Sequence, residues 1–274
     1  MVYLCDLTRT MRLLLLLFLS FLFACNFSSQ KSGNDLVEGD SISLNDSLGN
    51  VLSGNDSAEE YVSKSLEVLI PDTSELEFTL LDQGLVDIIS VDPSIHTDIK
   101  YSTEDNFMAE DVYGDFDKCY LQPIVADMLS KAQTLLKERD SLLSLLIFDC
   151  VRPRSVQLKM WDIVKGTDQQ NYVAPPNGGG SMHNYGAAID LGLIHLDTGL
   201  VDMGTPYDFF GNLAQPRYEM QFLKSGELTQ RQAQNRWILR EVMKEAGFHV
   251  ILSEWWHFNA FPRPEVRQRF RIVE

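Results

Sequence analysis

The sequence predicts an α+β domain with helices beside a largely antiparallel sheet, and three observations predict it. Short apolar runs such as Leu145–Asp149 and Ala187–Leu193 have the length and patterning of strands. Two long segments, 121–137 and 229–246, place apolar residues at helical spacing. Long loops separate these elements, one of them the Pro- and Gly-rich stretch Pro175–Gly180. At 274 residues the chain can bury a sizeable core. Its net charge of −16 argues against a nucleic-acid footprint, which needs a basic face to neutralise phosphates. Acidity of this kind mainly signals solubility.

The first segment reads as an export signal over residues 1–24. Arg9 and Arg12 precede an apolar run from Leu13 to Phe23, about 16 Å as a helix at ~1.5 Å per residue, too short for a hydrocarbon core of ~30 Å. The run ends in Leu22-Phe23-Ala24-Cys25, which resembles the lipobox of bacterial lipoproteins and makes Cys25 the expected lipidation site. The bland alternative is an ordinary cleaved signal with a chance cysteine, and Met11 is an alternative start. The expected location is therefore the cell envelope, on a lipid anchor facing the periplasm or the surface. Residues 25–80 are rich in Ser, Asn, Asp and Gly and read as a flexible tether, in which 61–70 could form a marginal helix. The globular domain is expected over 81–274.

Within it, Leu85–Val91 is β-branched and followed by Asp92-Pro93, a strand and a turn. The segment Leu121–Lys137 carries Val125, Leu129, Ala132 and Leu136 on one face with Pro123 in its first turn, hence a helix. The buried strand Leu145–Asp149 delivers Arg152-Pro153, and a helix over Ser155–Lys165 follows, with Ser155 as N-cap and Gly166 closing it. Ala187–Leu193 alternates as a strand and would fix Asp190 on one face. Thr229 and Gln232 form a capping box for a helix to Ala246, closed by Gly247, after which Phe248–Leu252 alternates as a strand. Cys119 and Cys150 could pair in an oxidising compartment, but two cysteines in so large a body read more simply as buried thiols.

The chemistry concentrates in SMHNYGAAID, residues 181–190, and SEWWHF, residues 253–258. His183 and Asp190 lie seven positions apart with Gly186 between them to turn the backbone. With His257 they make two imidazoles and a carboxylate, a set that holds zinc and leaves a position open for catalysis. Glu254, three residues before His257, is the candidate general base and acid. A regular strand would point Glu254 and His257 to opposite faces, so a turn or bulge must separate them. Singly, each residue has a plainer reading: a solvated His183, a buried Asp190 paired with an arginine, a Glu254 salt bridge, and Trp255, Trp256 and Phe258 as core. The joint pattern outweighs them.

These motifs resemble the paired SxHxxGxAxD and ExxWH signatures of the zinc D-Ala-D-Ala peptidases, most nearly the VanX-type D-alanyl-D-alanine dipeptidases. The resemblance extends over DIKYSTEDNF, the VRP tripeptide and LDTGLVDMGTPYDFF, from about Val86 to Phe258. It implies one zinc ion per chain, held by His183, Asp190 and His257, with Glu254 as general base and acid. Arg152 matches the arginine of the family's YRP segment, Val151 replacing the aromatic, and would stabilise the oxyanion. Ser181, Tyr101 and Asp208 match positions lining the dipeptide pocket, Asp208 facing the substrate ammonium. The implied activity is hydrolysis of D-Ala-D-Ala in the envelope by a zinc-bound water. Two alternatives stand beside it: a D,D-carboxypeptidase or other peptidoglycan peptidase, and a non-catalytic cell-wall-binding lipoprotein. The presence of both Glu254 and Arg152 counts against the latter. Oligomeric state is not legible.

Overall fold

The computed structural model describes residues 75–274; the expected signal, Cys25, the 61–70 helix and the tether as far as residue 74 lie outside the described residues, whereas residues 75–80, expected as the end of the tether, are helical and bury Leu80, so the folded body begins before residue 81. The domain is a mixed α+β fold. Helix α1 (Glu75–Asp82) leads into β1 (Val86–Asp87) and a single helical turn, α2 (Ile88–Val91). The strand expected over Leu85–Val91 is thus only two residues long. The Asp87 side chain accepts the Ile89 amide at 3.2 Å, and this cap converts the β-branched run into a turn of helix that buries Ile88.

After β2 (His96–Thr97), β3 (Tyr120–Leu121) pairs antiparallel with β1. Helix α3 (Pro123–Arg139) follows, with Pro123 in its first turn and Val125, Leu129, Ala132 and Leu136 fully buried, as their spacing predicts. Strand β4 (Leu143–Asp149) and helix α4 (Arg154–Val164) come next. Helix α4 starts one residue before Ser155, with Pro153 at the N-cap and no side-chain cap bond. The Arg154 amide is satisfied instead by the Val273 carbonyl at 2.9 Å, so a serine cap is not needed.

Strand β5 (Ala188–His195) is the centre of the main sheet, with the short β6 (Gly199–Leu200) folded back on it. Helices α5 (Glu219–Ser225) and α6 (Gln230–Ala246) lead to β7 (His249–Val250), β8 (His257–Asn259) and α7 (Arg263–Arg269). The capping box at the start of α6 is present in full, and Gly247 closes the helix at φ +110°. The strand expected over Phe248–Leu252 is limited to His249–Val250, and 251–256 is irregular.

The main sheet has six strands in the order β2-β4-β5-β8-β7, with β6 beside β5. It is mixed, because β2 runs parallel to β4 while the other pairs are antiparallel. Leu145 and Ile147 of β4, Ile189, Leu191 and Leu193 of β5 and Phe258 of β8 join the buried face of α3 and Leu239, Val242 and Met243 of α6 in one core. Cys119 and Cys150 form a disulfide, contrary to the thiol reading. Docking of β3 beside the end of β4, through the Val151 amide to the Tyr120 carbonyl at 3.2 Å, brings their Cα atoms to 5.4 Å. Closing a loop of 31 residues stabilises the fold by roughly 3–4 kcal/mol in the chain-entropy account. Among the described residues no helix is long and apolar enough to cross a membrane.

Candidate metal centre and pocket

Three strands bring three polar side chains into one row. Ile147 pairs with Leu191, yet Asp149 pairs with Asp190, so a bulge at Phe148 moves Asp149 into register with Asp190. Asp190 in turn pairs with His257 of β8. His183 comes to the same place from the loop before β5. It opens a 3₁₀ turn, His183–Tyr185, that ends at Gly186 with φ +62°. A Cβ on Gly186 would stand 2.9 Å from Leu85 Cδ2, so both the left-handed backbone and the close packing demand glycine.

The donor atoms converge. His183 Nε2 is 3.1 Å from His257 Nδ1 and 3.3 Å from Asp190 Oδ1, and His257 Nδ1 is 2.9 Å from the same oxygen. Ligands ~2.0–2.1 Å from a shared zinc ion stand roughly 3.3 Å apart in a tetrahedron. The outward nitrogens are occupied: His183 Nδ1 meets the Cys150 carbonyl at 2.7 Å, and His257 Nε2 meets Asn259 Oδ1 at 3.0 Å. Both partners are acceptors, so the ring protons sit on the outer nitrogens and the inner ones present lone pairs. Tyr207 donates to Asp190 Oδ2 at 3.0 Å, leaving Oδ1 for the centre. Three acceptors facing one another in a buried site repel unless a cation lies between them, and these residues could hold a metal ion. Burial alone would raise the Asp190 pKa, but positive charge between the three side chains, carried by the imidazoles when they are protonated, holds it well below the usual carboxylate range.

Around this row lies a cavity of about 500 Å³ that contains every side chain expected at the site in the body of the chain. Glu254 occupies the irregular stretch between β7 and β8, which supplies the required turn before His257. Burial pushes its carboxyl up to about 7, against the opposing pull of His257. Arg152 is buried, with Nε and Nη2 on Asp149 Oδ2 at 3.0 and 2.5 Å, Nη1 on Gln157 at 3.0 Å, and Nη2 3.7 Å from Asp190. Desolvation opposes its charge, but Asp149 outweighs that and holds the guanidinium well above its ordinary value. Tyr101 lies under Arg152, 5.2 Å from ring centroid to Cζ, and donates to Asp208 Oδ2 at 2.9 Å. Asp208 adopts φ +57°, and burial with the charge of Asp190 raises its carboxyl to about 7. Ser181 lines the wall, its amide held by Asn184 Oδ1 at 2.7 Å. Trp255, Trp256 and Phe258 are core side chains, as their plainer reading has it, although Trp256 also borders the cavity.

Sequence reasoning did not single out Asp149, Tyr207, Asn259 or Arg263. Asp149 and Arg152 lie three apart and His257 and Asn259 two apart, spacings that could have suggested a pair at a strand end and a shared strand face. Arg263 stands at the cavity rim and donates to the Gly180 carbonyl at 2.7 Å.

Comparison with known proteins identifies the family. A family model described as D-ala-D-ala dipeptidase matches residues 81–273. The chain is 31% identical to a D-alanyl-D-alanine dipeptidase of Enterococcus faecium over 207 residues, 67% of this chain and 91% of the relative. It is 29% identical to a D-alanyl-D-alanine dipeptidase of Escherichia coli (strain K12) over 175 residues, 64% of this chain and 83% of the relative. A third, from Enterococcus faecalis, is 28% identical over 204 residues. With the match extending over most of its length and a His-Asp-His cluster at the cavity, the chain belongs to the D-Ala-D-Ala dipeptidase family of metallopeptidases.

Proposed function

We propose that this chain is a zinc-dependent dipeptidase that cleaves D-Ala-D-Ala in the cell envelope. The observation that carries the reading is the set of converging lone pairs of His183, Asp190 and His257 inside a cavity that also holds Glu254, Arg152 and Asp208. A zinc ion held by these residues would supply Lewis acidity, which lowers the pKa of water from 15.7 to about 7 and polarises a carbonyl.

The side chains of the cavity do the rest. Glu254 takes the proton of the attacking water and returns it to the leaving amine, a role suited to a carboxyl whose pKa lies near neutrality. Arg152, fixed on Asp149 and Gln157, keeps N–H groups that those partners do not use for the oxygen on which charge develops. Asp208, oriented by Tyr101, pairs with the substrate ammonium, which draws the carboxyl into its ionised form. A free amino terminus is thereby required, and longer stem peptides are rejected. Ser181 forms part of the wall.

The location rests on the Arg9/Arg12 and Leu13–Phe23 signal and the lipobox at Cys25. The Cys119–Cys150 disulfide supports it, since such bonds persist in oxidising compartments.

Peptide release from the zinc-loaded protein tests the activity across D-Ala-D-Ala, its N-acetyl derivative, L,L and L,D dipeptides and a stem pentapeptide. Cleavage confined to free D,D dipeptides is expected. Preference for the pentapeptide would make it a carboxypeptidase, and no cleavage of any D,D substrate would leave a binding protein.

A further inference from the structure

His183 takes its orientation from a backbone oxygen that belongs to half of a cystine. Its Nδ1 donates to the Cys150 carbonyl at 2.7 Å, and Cys150 is joined to Cys119. Cys150 lies one residue past the end of β4, just after the bulge and beyond the last β4–β5 pair, so the ladder does not fix its peptide plane. The next residue, Val151, is attached to the two-residue strand β3 through a 3.2 Å bond to Tyr120. Arg152 then interlocks with the His183 loop: its amide donates to the His183 carbonyl at 3.1 Å, and its carbonyl accepts from Asn184 Nδ2 at 2.7 Å. Segment 150–152 therefore aims both a metal ligand and the guanidinium, and among the described residues the disulfide is its only covalent cross-link.

We propose that the Cys119–Cys150 disulfide is a positioning element of the metal centre. It fixes the carbonyl that sets the tautomer and ring plane of His183, so the centre reaches full affinity for a divalent cation only in the oxidised protein. The inference rests on the metal reading above. Partners behind a ligating histidine typically change metal affinity by about 10–100-fold. Reduction delivers two electrons and two protons to the S–S bond and gives two thiols. Both sulfur-bearing residues are buried, and neither belongs to the converging ligand set. A chain still in a reducing compartment would hold zinc weakly and become competent after export.

The test measures zinc affinity by competition with a chromophoric chelator. Three samples are compared: the disulfide form, the same protein reduced by a phosphine, and the Cys119→Ala/Cys150→Ala variant. The phosphine gives up the two electrons and takes oxygen from a water molecule, whose two protons go to the thiols. Replacing both cysteines leaves no thiol to capture the ion. The dissociation constant should rise about 10–100-fold in the second and third samples, measured where circular dichroism shows them folded. The hydrogen-bonded His183 Nδ1–H resonance should broaden or shift with it. Leu136→Ala, a cavity in α3, serves as a control that lowers Tm without touching the centre and should leave zinc affinity unchanged.

Affinities within twofold across the three samples would overturn the proposal. So would a loss that Leu136→Ala reproduces at equal Tm. If the double variant does not fold, the phosphine-reduced protein carries the comparison. His257→Ala separates the two readings. If zinc binding by the disulfide form does not depend on His257, the metal assignment itself is wrong; if it does and the disulfide is immaterial, only the positioning role fails.

Discussion

Glu254 and Asp208 are two carboxyls raised to about 7 in one cavity, and the proposed mechanism gives them different work. In the proposed mechanism Glu254 handles protons, so Glu254→Gln should bind one zinc ion per chain and lose about 10²–10⁴ in kcat. Metal analysis beside a peptide-release assay checks this, and full turnover would remove Glu254 from the mechanism. Asp208 is proposed to bind the substrate ammonium, and its burial carries a stability cost. Its folded-state pKa lies above the ordinary 3.8, so between those values the folded chain holds more protons than the unfolded one. Stability therefore falls as pH rises from about 4 to about 7, with the full penalty above that. In the metal-free protein Asp208→Asn should raise Tm by several degrees at pH 8 and leave it unchanged near pH 4. The same variant should raise KM for unblocked D-Ala-D-Ala about tenfold or more, because the ammonium loses its partner. Thermal melts at the two pH values and initial rates decide both; a parent and variant that melt together at pH 8 would refute the burial account.

At the level of elements, the site depends on two irregularities, the bulge at Phe148 and the left-handed turn at Gly186. Gly186→Ala forces a Cβ to within 2.9 Å of Leu85 and a β-carbon into a φ of +62°. It should cost about 1–3 kcal/mol and weaken zinc binding through His183, measured by denaturant melts and chelator competition. An alanine variant as stable as the parent would mean that the turn is not strained. The same irregularities mark the limit of what the sequence disclosed. His183, Asp190 and His257 were legible because ligand chemistry restricts residue type, and the α6 capping box because its two side chains answer each other locally. Asp149 was passed over because it closes an apolar strand, and its place beside Asp190 comes from a bulge that leaves no periodic signature. The run Leu85–Val91 misled for a related reason: β-branched composition favours a strand, but one local bond from Asp87 decided for helix. Pairing of Cys119 with Cys150 was equally out of reach, since it follows from where β3 docks, a contact between segments 31 residues apart.

For the whole molecule, the candidate metal centre would also be a clasp. Its candidate ligands come from the loop before β5, from β5 itself and from β8, so a cation held by all three would tie the centre of the sheet to the segment that carries Glu254. The unfolded chain has no such convergence, and binding to the native state alone stabilises by about 4 kcal/mol when free zinc is 1,000 times Kd. For a body of this size each kcal/mol moves Tm by roughly 2–4 °C, so stripping the metal should lower Tm by about 10 °C. The variants divide cleanly on this measure. His257→Ala should lose both the zinc-dependent rise in Tm and all turnover, whereas Glu254→Gln should keep the whole rise while losing turnover. Differential scanning calorimetry with and without a chelator reads the difference directly. A zinc shift that survives in His257→Ala would place the ion elsewhere, and a shift lost in Glu254→Gln would make Glu254 a ligand and leave the protein without its proposed base.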